Sequence, residues 1–159
     1  MKKMISMIVL IFMLSACSDK EDTLDIEVTE EFQFMAIDKV RSGEASAQKT
    51  RKIENREVMK RIIEQVNDLP VKTIEDQQKT FNQLRQETVF FFWFTEEDWF
   101  SDLSKVRDSQ QPVYTFIAKP DRTFYLGDPT KESKKISFVT KEKHPELFQQ
   151  FQKELNLNF

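Results

Sequence analysis

Two glycines, one cysteine and one histidine in 159 residues leave little room for several familiar chemistries. The P-loop and the dinucleotide fingerprint both need several glycines close together, and Gly43 and Gly127 stand far apart. A single cysteine, Cys17, cannot form an internal disulfide. No serine sits in a G-x-S-x-G elbow, and a Ser-His-Asp arrangement would depend on His144, which precedes Pro145 and reads as a helix-start residue. An excess of positive charge is also missing. The chain has 24 Lys plus Arg against 27 Asp plus Glu, a net charge of -3. Its pI near 5.4 excludes the concentrated basic surface that binds nucleic acid. The longest apolar run, Met4 to Leu14, has 11 residues and falls short of the roughly 20 that span a bilayer.

The residues that are abundant describe a folded, water-facing body. The charged share of 32% and mean hydropathy of -0.56 suit an aqueous surface. Fifteen phenylalanines supply more core-forming surface than a disordered chain carries.

Lys2 and Lys3 followed by MISMIVLIFML have the charge and length of an export signal. Directly after it, Leu14-Ser15-Ala16-Cys17 resembles the lipobox of bacterial lipoproteins at all four positions. The resemblance implies cleavage between Ala16 and Cys17, diacylglyceryl transfer to the Cys17 thiol, and residence in the cell membrane facing outside the cytoplasm. A thiol at the end of an exported apolar segment lies where a lipid donor can reach it. Each buried methylene adds about 0.8 kcal/mol, so several acyl chains hold firmly. Loss of residues 1 to 16 removes two lysines and leaves 22 basic against 27 acidic groups, so attraction to anionic lipid is not the main tether. Residues 17 to 22 are then the lipidated cysteine and a short polar tether, and residues 23 to 159 a single domain. With Cys17 acylated, neither a Cys-His nucleophile nor a zinc site remains, since His144 is the only residue left of those types. No cofactor is expected.

Apolar residues alternate at Leu24, Ile26 and Val28 and again at Phe32, Phe34 and Ala36, which predicts two amino-terminal strands. Arg41 to Thr50 reads as a flexible loop and Arg51 to Glu54 as a returning strand. With Asn55 as N-cap, Val58, Met59, Ile62, Ile63, Val66 and Leu69 recur at helical spacing up to the stop at Asn67, Asp68 and Pro70. Glu57 and Arg61 are spaced for an exposed pair on that helix. Thr73 to Glu87 fits either a weaker helix or an ordered loop. Val89 to Phe94 predicts a central strand, Val113 to Ala118 and Thr123 to Leu126 a hairpin around Pro120-Asp121, and Ile136 to Val139 another strand. A final helix starts at Pro145 and presents Leu147, Phe148, Phe151 and Leu155.

The resulting fold class is α+β. An antiparallel sheet carries two main helices on one face, in the order strand, helix, four strands, helix, after one or two amino-terminal strands. That order resembles TATA-binding-protein-like folds. Over about residues 17 to 155, together with the lipobox, it resembles the small YhfM-like lipoproteins of Bacillus and relatives, which implies fold and location and no mechanism. The nucleic-acid role of the first group does not carry over to an acidic exported chain.

The aromatic run Phe90, Phe91, Phe92, Trp93, Phe94, Trp99 and Phe100 is the feature most suggestive of recognition. Alternate members must point away from the helices. They are core if residues 24 to 40 cover that face, and otherwise form a patch for a peptide, lipid or envelope protein. Trp99 and Phe100 are the candidate partner-binding residues. Glu96, Glu97 and Asp98 read as a solvated turn in preference to cation ligands or an acid-base pair. The expected function is a membrane-anchored, non-catalytic binding module of the cell envelope. The alternatives are a carboxylate-dependent enzyme acting on wall or lipid material and an assembly factor of an envelope complex.

Overall fold

A computed structural model describes residues 23, 24, 26, 32–42, 44–45, 50–96, 114–128 and 136–157. The candidate site residues Ala16, Cys17, Trp99 and Phe100 lie outside these residues. Eight strands form one antiparallel sheet: β1 (Phe34–Arg41), β2 (Glu44–Ala45), β3 (Arg51–Ile53), β4 (Val71–Thr73), β5 (Thr88–Thr95), β6 (Tyr114–Ala118), β7 (Phe124–Gly127) and β8 (Ile136–Thr140). Their order is β2-β1-β5-β6-β7-β8-β4, with β3 also paired to β1. Helices α1 (Arg56–Asn67), α2 (Gln77–Leu84) and α3 (Pro145–Glu154) complete the described fold, which is α+β as expected.

Each helix begins where the sequence places a stop for the preceding strand. The Asn55 side chain accepts from the backbone N–H groups of Glu57 and Val58, satisfying donors that the first helical turn leaves free. Pro145 opens α3, where its missing N–H costs nothing. The apolar stripes then decide where the helices lie. Met59, Ile62, Ile63 and Val66 of α1 and Phe148, Phe151 and Leu155 of the α3 segment share one core with Met35, Ile37, Phe90, Phe92, Phe94, Phe116 and Phe124 of the sheet. Phe92 stacks on Phe116 at 4.3 Å, while Phe151 meets Phe124 edge-on at 5.9 Å. These two helices therefore cover one face.

The opposite face has its own smaller cluster, in which Leu84 at the end of α2 and Ile74 after β4 meet Val40, Val89, Ile117 and Ile136. The Thr73 to Glu87 stretch thus resolves into β4's last residue, a short helix capped by Asp76, and a turn. β4 itself was not foreseen. Its three residues pair with β8 at the sheet edge, because Pro70 and the end of α1 return the chain there.

Three expectations are corrected. Leu24 and Ile26 are not in a strand; Ile26 is buried, its N–H donating to Asn67 Oδ1 at 3.1 Å and its C=O accepting from Asn67 Nδ2 at 2.8 Å. One side-chain amide thereby satisfies the backbone that a strand partner would otherwise serve. Residues 34–41 do not cover the sheet, for β1 lies within it beside β5, and Phe32 is buried on the side of α1 and α3. Arg61 takes its hydrogen-bonded partner from α3, with Nε 3.1 Å from Glu154 Oε1, and Glu57 adds only a weaker electrostatic attraction.

Candidate functional site

Strand register fixes which side chains share the face away from α1 and α3. Pairing β1 with β5 sets Phe34 beside Thr95, Ala36 beside Trp93, and Asp38 beside Phe91. Pairing β5 with β6 then sets Trp93 beside Thr115. Alternation along each strand puts all of these on one side, with Val40 and Val89 of the smaller cluster. Phe91 packs at the margin of that cluster, and Trp93 lies one pair further along, with the two rings edge-on at 6.2 Å.

This strip combines aromatic surface with polar atoms sealed from water. The rings of Phe91 and Trp93 are half-buried, yet the Trp93 indole N–H is buried and has no hydrogen-bond partner among the described residues. Directly across the strands, Thr115 Oγ1 is in the same condition. An unmet buried polar atom costs about 1–3 kcal/mol, so one on each member of a cross-strand pair is a feature to be explained. Both can donate, and the threonine can also accept. A group that reached either of them would complement it with an acceptor oxygen, as a carbonyl or carboxylate does.

Asp38 gives the strip a buried carboxyl. It is only 8% exposed. Burial raises its pKa above the ordinary carboxylate value, against the hydrogen bond donated by Thr50 Oγ1, which stabilises the charged form. Across from Thr115, Gly127 permits a close approach of β7 to β6: a Cβ there would stand 3.0 Å from the Thr115 carbonyl oxygen. Lys52 borders the strip, its ammonium 4.4 Å from the centre of the Phe34 ring and 2.6 Å from Glu54.

The other sequence candidates fall elsewhere. His144 caps α3 through its backbone and makes no side-chain cap bond, and its ring lies against Phe124. Glu96 is exposed at the end of β5, and Glu97 and Asp98 lie outside the described residues. Among the described residues no group of three metal-ligating side chains comes together. Of the strip, the sequence reading identified Phe91 and Trp93 within the aromatic run and missed Asp38, Thr50 and Thr115. Asp38 had a signal: it continues the period of Phe34 and Ala36, so an acid was due on an otherwise apolar face.

Comparison of the chain with known protein families, curated proteins and solved structures finds no match. The strip must therefore be read from its own chemistry.

Proposed function

We propose that the chain is a lipid-anchored protein of the cell membrane, facing outside the cytoplasm, and that it works there as a non-catalytic binding module. The location rests on Leu14-Ser15-Ala16-Cys17 at the end of an export-type apolar segment. The observation that carries the binding role is the pair of unpartnered buried groups, Trp93 Nε1 and Thr115 Oγ1, on an aromatic strip. Aromatic side chains supply contact area with little rotamer entropy to lose, and the two polar groups would orient an oxygen-bearing ligand such as a peptide backbone or carboxylate. Carboxylate catalysis has less support. It needs two acids held in different environments, and among the described residues Asp38 is the only buried acid.

Two measurements test the halves separately. Cys17→Ala should abolish lipid labelling and leave an uncleaved precursor; a labelled Cys17→Ala protein would overturn the anchor. Cross-linking in intact membranes should capture an envelope partner with the wild type and lose it with Trp93→Phe. Equal capture by the folded variant would remove the strip from recognition. A partner recovered at fixed stoichiometry would favour the assembly role.

A further inference from the structure

The tether and the turns of the sheet meet at one end of the domain. Leu24 lies beside Asn67 and Asp68 in a shallow depression at the C-terminal end of α1, and the Asn67 amide holds the backbone of Ile26 there. From this point the hydrogen bonds lead along the base of the sheet. Lys141 N–H donates to Pro70 O, His144 N–H to Arg122 O, and Ser42 N–H to Glu87 O; Lys119 N–H closes the β6–β7 turn on Thr123 O. Lys119 also forms an ion pair with Glu87 at 2.7 Å. The tether root, the α1–β4 turn, the β6–β7 turn, the β8–α3 link and the start of β5 thus share one end.

Charge is distributed unevenly between the ends. At the base, Arg41, Arg85, Arg122 and Lys141 are exposed and make no ion pair among the described residues. Two of the acids nearby, Glu87 and Asp121, are taken up by Lys119 and Lys143, leaving Asp68, Glu142 and Glu146. The opposite end, where β5 finishes and α1 and α2 begin, carries exposed Glu57, Glu75, Asp76 and Glu96 against exposed Arg56 and Lys79, so acids outnumber cations there and cations outnumber the remaining acids at the base.

We infer that the base of the sheet is the bilayer-facing surface of this protein, and that its occupant is the headgroup layer of an anionic membrane. The inference rests on the anchor at Cys17 proposed above. Five residues separate Cys17 from Thr23, and the six steps between their Cα atoms reach roughly 20 Å at full extension. The eight residues of β5 alone span roughly 26 Å. A tether shorter than the sheet, rooted at its base, cannot set the opposite end on the same membrane. The four free cations then face lipid phosphates within a Debye length, while the acidic end points away. They trim the orientation and do not supply the anchor, in keeping with the negative charge of the whole chain.

The test uses the full lipidated chain reconstituted in vesicles of phosphatidylcholine, with and without phosphatidylglycerol. A fluorophore is attached in Lys141→Cys or Glu57→Cys, both exposed, and a headgroup-bound quencher is included in the bilayer. Quenching should be several-fold stronger at position 141 in both membranes. Equal or reversed quenching on a vesicle-bound, lipidated chain overturns the orientation alone. A chain without lipid that stays off the vesicles overturns the anchor and the orientation with it. A Gly-Ser insertion of about 20 residues between Asp22 and Thr23, reaching roughly 25 Å as a coil, separates the two contributions. It should equalise the labels on phosphatidylcholine and preserve the difference when phosphatidylglycerol is present; loss of the difference in both membranes overturns the role of the cations.

Discussion

Asp38 is a carboxyl held where water hardly reaches, between Thr50 on one side and Phe91 on the other. Burial raises its pKa, so between the ordinary carboxylate range and that raised value the folded state binds more protons than the unfolded state. Stability therefore falls as pH rises through this window, and above it the full cost of the buried charge is present. Asp38→Asn keeps an acceptor for Thr50 and removes the charge. Its melting temperature should exceed that of the wild type at neutral pH, with the gain narrowing as pH falls toward the ordinary carboxylate range. A gain that does not change with pH would show that the carboxyl is not the cause. Tyr114 is the neutral counterpart in the main core. Its hydroxyl is buried without a partner among the described residues, and burial, aided by the charge of Asp128, pushes its pKa upward so that it stays protonated. The aromatic pairing of its ring with Phe94 at 6.0 Å offsets part of that polar cost.

Among the elements, α1 shows most directly how pattern becomes position. Ile62 is fully buried at the centre of its stripe, so Ile62→Asp places an unpaired charge against Phe rings. The variant should lose several kcal/mol, more than about 4, and fail to show a cooperative thermal transition. Wild-type melting would show that the stripe faces elsewhere. Helices α1 and α3, β5 and the β6–β7 hairpin were legible because each repeats one period over enough residues and ends in a recognisable cap or turn. β4 and α2 were not. Three residues carry no period, and α2 buries only Leu84, so its sequence has almost no stripe to read. The strip was legible in its rings and hidden in its polar members. Thr115 is polar by composition and buried only through the pairing of β6 with β5, a long-range fact that no local window contains.

Taken as one body, the described residues pack two clusters against opposite faces of a shared sheet, with β1, β5 and β6 contributing buried residues to both. Neither cluster can come apart without disturbing strands that the other needs. Thermal unfolding followed by far-ultraviolet circular dichroism and by tryptophan fluorescence should give coincident midpoints, as expected of a unit of this size. Separate midpoints would mean that the α2 side opens first. The margins of the sheet have a further consequence. On one side stands β4, three residues long and preceded by Pro70; on the other, β1 meets only the two residues of β2 and the three of β3. Short and interrupted borders offer a neighbouring molecule little backbone to zip onto. Many copies held at high concentration could then collide repeatedly without polymerising into fibres.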